Sequence, residues 1–377
     1  MSVELLIRVG RRGAVAVVAI AMMMFAQPAH ASVSTTSDQT ARVNGTVYAI
    51  AQVGDLTIVG GEFTTVGGRP RSNVAAIRAD GTVDPNFNPS VNGPVHAVAG
   101  SEDGATVYLG GTFTAVGGQT RANLAAVDAD AGVALANWQA DTTGVTPDVT
   151  ALATHGDRLY VGGRFGFIDG RARPRLAALD QLGDVVTSFI PRPNGGVRAV
   201  QVSPDGATVY VGGGFSGIGG QVRPWGIAGV SSVDGAATSF NPGVGSDITL
   251  TLDLSPDGSR LYFSTPDNRL FAYDTGSDVP LWIRKTSGDT QAILASATEV
   301  YIGGHFSQIT TYKIKRQFLA SLRPDDGTVT SWDPHPTGGS MGVWAIAATP
   351  NALLVGGTFT EVDGVFRARF ARFPGTP

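Results

Sequence analysis

One ten-residue pattern constrains this chain more than any other feature. VGGEFTTVGG at 59–68 returns as LGGTFTAVGG at 109–118, VGGRFGFIDG at 161–170, VGGGFSGIGG at 211–220, IGGHFSQITT at 302–311 and VGGTFTEVDG at 355–364. The second glycine of each pair falls at Gly61, Gly111, Gly163, Gly213, Gly304 and Gly357. The gap from Gly213 to Gly304 is 91 residues, nearly two periods. Inside it Leu261-Tyr262-Phe263 matches Val209-Tyr210-Val211, with Ser264 and Thr265 in place of the glycines. A degenerate fifth repeat, about 247–289, fills the gap and brings the count to seven. A unit this short cannot bury its apolar face alone, so the repeats must stack on one another.

Each repeat reads as four short strands. In the second, Val95 to Ala99 alternates, Ser101-Glu102-Asp103-Gly104 turns, Thr106 to Phe113 follows, and Asn123 to Val127 and Ala134 to Trp138 complete the set. Period-2 alternation bounded by Gly, Asp and Pro is a strand signature, and no stretch sustains helical spacing. The 51 glycines fit many tight turns and close backbone approaches.

The repeated residues have mechanical readings. Val, Ala and Gly dominate the first strand (Val47-Tyr48-Ala49, Val197-Arg198-Ala199, Val343-Trp344-Ala345), where strands would crowd toward an axis. Phe63, Phe113, Phe165, Phe215, Phe306 and Phe359 should wedge between units, and Phe87, Trp138, Phe189, Phe240, Trp282 and Trp332 mark the outer strand. The last repeat stops after Phe370 to Phe373 without an outer strand, while Arg42-Val43-Asn44-Gly45 aligns with Ser90-Val91-Asn92-Gly93. These half-repeats predict an all-β, seven-bladed β-propeller of four-stranded blades. The N-terminal strand would complete the last blade and close the ring, making residues 32–377 one domain.

The pattern V-G-G-x-F-T-x-V-G-G-x-x-R-x-N-L-A, read at 59–75 and 109–125, resembles the delta-60 repeat of bacterial secreted β-propellers, near the kelch type. The likeness covers residues 46–373 and departs in blade five, which lacks the motif, and in blade six, where Ile309-Thr310-Thr311-Tyr312 replaces the second glycine pair. It implies an exported or surface-linked propeller and no particular activity.

The N-terminus reads as an address. Arg8, Arg11 and Arg12 precede an apolar run from Ala14 to Ala26, and Ala29-His30-Ala31 is an A-x-A cleavage site. The run is shorter than the ~20 residues of a membrane span, so 1–31 is expected to be a cleaved signal peptide of the general secretory route. Losing Glu4 and three arginines turns 27 basic and 31 acidic residues into 24 and 30, a net charge of −6. A phosphate backbone wants a basic face, so nucleic acid is a poor partner. The absence of cysteine excludes disulfides and attachment of lipid through an N-terminal Cys. A secreted monomer without a transmembrane anchor is expected, extracellular, or periplasmic if the source has an outer membrane.

Arginines in register are the sharpest chemical feature. Arg71, Arg121, Arg173, Arg223 and Arg367 each lie ten residues after the second glycine, and Arg316 lies twelve after. Gathered on one face they would suit carboxylate, sulfate or phosphate groups. The competing reading ties each arginine's loop to an acidic group or carbonyl of a neighbouring blade, as repeat-wide residues usually serve the repeat interface. Other motifs carry less. Ser-x-Asp-Gly at 101–104, 203–206 and 255–258 reads as hairpin turns. Gly212 to Gly217 spells G-x-G-x-x-G without a following helix. His96, His155, His305 and His335 form no zinc motif, and Asp128-x-Asp130 lacks further calcium ligands.

No catalytic residue, metal or cofactor is therefore assigned. The expectation is a binding module for an extracellular glycan, cell-wall polymer or protein, with its site at one mouth of the ring. A sector at blades five and six, opened by lost loop residues, is a second location. The alternatives are a polysaccharide hydrolase or lyase with carboxylates at the channel mouth, and a purely structural surface protein.

Overall fold

The computed structural model describes residues 32–243 and 248–377, and the segment read as a signal peptide lies outside them. The described residues contain strands and no helix. Seven principal sheets follow one another along the chain, each opened by a first strand: Thr46–Val53, Val95–Gly100, Val149–His155, Val197–Val202, Thr251–Leu254, Thr290–Ala295 and Val343–Thr349. In each, the second strand pairs antiparallel with the first and third.

Six of these sheets have three ladder strands. Where a fourth strand was expected, five retain a single bridge: Ile77 with Val83, Val127 with Ala134, Leu179 with Val185, Val230 with Ala237 and Leu322 with Val329. The degenerate repeat alone has a full four-stranded sheet, through Pro280–Lys285. Its second and third strands, Arg260–Thr265 and Arg269–Asp274, meet in a tight turn and lack the small hairpin that the other repeats carry there, such as Thr65–Val66 with Arg69–Pro70.

The glycine pairs explain how the sheets approach. A Cβ on Gly60 would lie 2.7 Å from Val95 Cγ1 of the next sheet, and a Cβ on its neighbour Gly61 would overlap the Thr46 carbonyl. The same relation runs from the last sheet to the first, where a Cβ on Gly356 would lie 2.5 Å from Val47 Cγ1. Only glycine admits this backbone-to-side-chain packing.

Seven hydrophobic clusters lie between consecutive sheets, one of them joining Leu354 and Phe370 to Val47 and Phe63. Both aromatic series are buried as expected. In five sheets the outer ring packs on a second-strand tyrosine of its own sheet, as in the edge-on Tyr160–Phe189 pair at 5.4 Å. The Phe after each glycine pair enters the cluster shared with the preceding sheet, as Phe215 does beside Phe189. Burying such a ring contributes roughly 1.5–3 kcal/mol.

The N-terminal arm runs beside the last strand, Phe370–Pro374. Ser34 N donates to Pro374 O at 2.7 Å and Asp38 N to Arg372 O at 2.8 Å. Val33 is buried against Trp332 and Phe373, whereas Trp332 Nε1 donates to Ser34 O at 3.0 Å. The alignment of 42–45 with 90–93 is matched residue by residue. Val43 bridges Val66 as Val91 bridges Val116, and Asn44 Oδ1 caps Thr64 N and Thr65 N as Asn92 Oδ1 caps Thr114 N and Ala115 N.

Candidate functional site

The arginine series was the predicted site, and its guanidinium groups are spent on backbone. Arg71 Nη2 donates to Asp84 O at 2.9 Å, Arg121 Nη2 to Leu135 O at 2.9 Å, Arg173 Nη2 to Thr187 O at 3.0 Å and Arg223 Nη2 to Thr238 O at 2.7 Å. Arg316 repeats the contact on Thr330 O at 2.8 Å. Each Nη1 also engages the carbonyl of the preceding residue. Arg71, Arg121 and Arg223 are buried, and burial lowers the pKa of Arg71, with the charge of Arg69 adding to it. Arg367 makes the equivalent contacts to the N-terminal arm, on Ser37 Oγ and Ser37 O. The arginines are thus consumed by structure, but within the repeat and not between neighbouring blades: in five repeats one planar fork pins the repeat's own outer segment to its hairpin, and in the last repeat it pins the N-terminal arm.

The Ser-x-Asp-Gly and Asp128-x-Asp130 motifs form turns. Ser101, Ser203 and Ser255 each donate to the Asp two residues on, in turns ended by Gly104, Gly206 and Gly258 at positive φ. Asp128 Oδ1 accepts from Asp130 N and Ala131 N within a turn. Among the described residues no group of three or more His, Asp or Glu could hold a metal ion. Nor is any described helix long and apolar enough to cross a membrane.

A different constellation stands at the end of the sheets where the first strands begin. In six repeats the ladder between first and second strands skips one residue, and the omitted residues are Tyr48, His96, Thr150, Arg198, Gln291 and Trp344. A bulge frees a side chain from sheet alternation and re-aims it. Five of the six bulge residues stand one place after a Val that packs on the glycine pair of the preceding sheet, and Gln291 follows Thr290, whose carbonyl accepts from Ser264 Oγ, so the frame is fixed while the bulge varies.

Neighbouring bulges touch. Tyr48 meets Trp344 edge-on at 5.6 Å and His96 edge-on at 5.4 Å. His96 Nδ1 lies 2.8 Å from Asp148 Oδ1, and Asp148 Oδ2 accepts from Arg164 Nη2 at 3.1 Å. Burial would raise the Asp148 pKa, but hydrogen bonds and charge from His96 and Arg164 outweigh it and hold the carboxyl below its ordinary range. Tyr48 is pushed the other way by burial and by Glu62, whose Oε2 is 3.5 Å from its hydroxyl. Trp344 Nε1 and Gln291 Oε1 are buried without a partner, a cost that native proteins tolerate sparingly.

One continuous path of side chains thus joins the seventh, first, second and third repeats. It combines half-exposed aromatic rings, an oriented imidazole and a paired carboxylate. The sequence contained a signal for it. The frame V-x-A recurs as V-Y-A, V-H-A, V-T-A, V-R-A and V-W-A, and its middle residue varies while its flanks do not.

Comparison with known proteins agrees with the architecture. A family model described as a domain of unknown function (DUF5122) beta-propeller matches residues 57–87. The WD40 beta propeller domain of Doa1 superposes with a TM-score of 0.60 at 12% identity, over 92% of this chain and 97% of that one. The fold is a β-propeller. U3-55K matches this propeller with a TM-score of 0.60 at 12% identity, over 92% and 99% of the two chains. The computationally designed Ika8 protein gives 0.56 at 11% identity, over 92% and 100%. No curated protein matches in sequence. At these identities the similarity concerns fold alone.

Proposed function

We propose that this protein is an exported, closed seven-bladed propeller that binds an extracellular glycan, cell-wall polymer or protein partner at the mouth lined by its bulge residues. The path Trp344–Tyr48–His96–Asp148–Arg164 carries this reading. Along it four repeats supply aromatic, imidazole, carboxylate and guanidinium side chains in contact with one another. Concave sites with a few convergent polar groups are the usual binding sites of such folds.

Export is supported by the basic, apolar and A-x-A segments of residues 1–31. Closure is supported by the arm beside the last strand and by Gly356 packing on Val47. The arm then supplies the outer edge of blade seven, and the single bridges in the other blades are frayed fourth strands. The delta-60 resemblance is consistent with both.

A second reading, a polysaccharide hydrolase or lyase, draws on the His96–Asp148 pair, since a carboxylate that orients an imidazole can prepare a base. Turnover would appear as new reducing ends. The test is a screen of glycans, wall polymers and exported proteins against the purified protein and its Tyr48→Ala and Trp344→Ala variants. Binding that both variants lose at unchanged melting temperature supports the proposal. Hits indifferent to both substitutions would remove the site from this mouth.

A further inference from the structure

We propose that the bulge-residue mouth recognises a glycan that carries carboxylate groups; this rests on the binding reading above and names its substrate class. The mouth is chemically polarised. On one side Trp344, Tyr48 and His96 offer three half-exposed rings in edge-to-face contact. On the other side stand Arg164, whose side chain is 63% exposed, and Arg198, the exposed bulge residue of the fourth repeat. Arg164 Cγ lies close to the backbone two residues before Arg198, with 3.3 Å between it and a Cβ built on Gly196.

The two arginines differ in what they already hold. Arg164 is engaged by buried Asp148, whose charge is also met by His96. Arg198 has no hydrogen bond or ion pair among the described residues. The six arginines of the repeat series all have both terminal nitrogens bonded to the fold, whereas Arg198, the one arginine among the six bulge residues, is exposed. A guanidinium presents a planar fork that matches a carboxylate. Of the exposed acids at this end, Glu62 lies in the first repeat beside Tyr48, and Asp267 of the fifth repeat is paired with Arg269.

The aromatic side favours a sugar over an acidic peptide. Tyr, His and Trp combine an apolar ring with a polar tip. A pyranose has the complementary surface, apolar C–H faces with a rim of hydroxyl groups. A uronic-acid polymer laid across the mouth would set one residue against the rings and bring a carboxylate to Arg198 and Arg164. A neutral polymer would use the rings and leave Arg198 without a counter-charge.

The experiment compares binding of the purified protein to polygalacturonate and to the same polymer fully methyl-esterified, by calorimetry, with alginate and hyaluronate as further polyuronates. The expected result is binding of at least one polyuronate, with polygalacturonate favoured over its ester by about tenfold or more, the worth of one charge-assisted contact. Arg198→Ala should remove most of that preference at unchanged melting temperature. Trp344→Ala should weaken charged and esterified polymers alike. Equal binding of charged and esterified forms, or a preference that survives Arg198→Ala, overturns the inference. If no polyuronate binds but another ligand does, and that ligand depends on Tyr48 and Trp344, the inference fails and the site stands. If no ligand responds to Tyr48, Trp344 or Arg198, the site reading fails with it.

Discussion

Arg367 Nη2 donates to the carbonyl of Ser37 at 3.3 Å, across 330 positions of sequence. In the first repeat Arg71 makes the same bond to Asp84, thirteen positions on. The arm thus provides for the last repeat what five earlier repeats take from their own outer segments. Arg372 with Asp38, and Trp332 with Ser34, reinforce the junction. Arg367→Ala should destabilise the protein by about 1–3 kcal/mol, because the Ser37 groups lose a charged donor. Arg367→Lys should not restore it, since an ammonium cannot span two acceptors in a plane. Chemical denaturation checks both.

Gly356 offers an independent check on closure. A methyl group there would press on Val47 Cγ1 at the seam, as one on Gly60 would press on Val95. Gly60→Ala and Gly356→Ala should therefore cost similar amounts, about 1–3 kcal/mol by overpacking. A Gly356→Ala variant as stable as the parent in thermal melts would mean that the first and last sheets do not meet.

Asp253 predicts a pH dependence. Its carboxyl accepts from Gln201 Nε2 at 2.6 Å and Ala295 N at 2.8 Å, linking the first strands of the fourth, fifth and sixth repeats. Burial pushes its pKa up to about 6 from 3.8. A raised acid favours the folded state fully below the unfolded value, and that contribution fades as pH climbs through the folded value. The native protein should lose on the order of 3 kcal/mol from this group between pH 4 and pH 7. Asp253→Asn, with the Gln201 amide turned over, should be more stable than the parent at pH 7 and no better at pH 4. Denaturant melts at the two pH values decide the matter.

Asp148 should behave with the opposite sign. Its pKa is depressed, so its contribution is present above the unfolded value near 3.8 and drains away as pH falls through the folded one. Asp148→Asn should weaken the native protein at pH 7 and show a smaller loss of stability on acidification below about pH 4. Ligand binding should fall in parallel, because the imidazole of His96 loses its anchor. Melting curves and binding isotherms across the acid range test both effects.

Several features were legible in the residues themselves. The period, the degenerate fifth repeat, the strand turns at Ser-x-Asp-Gly and the burial of both aromatic series follow from local pattern, because each recurs at a fixed position in the repeating unit. The matching of Arg42–Gly45 to Ser90–Gly93 was legible for the same reason, as it compares like with like. Strand count per sheet was not, since an outer strand held by one bridge and a paired one have similar alternation.

The candidate site depended on packing. Tyr48, His96 and Trp344 are unremarkable within their own strands, and only adjacency of sheets brings residues of the last, first and second repeats into contact. The arginines illustrate the converse. Their register was plain from the sequence, but whether a guanidinium meets a ligand or a carbonyl depends on where the outer segment passes, and no local propensity encodes that. Sequence by itself determined the repeating unit of this protein; tertiary structure decided which repeated positions are consumed by the fold and which are left for chemistry, because that choice is made by contacts between units.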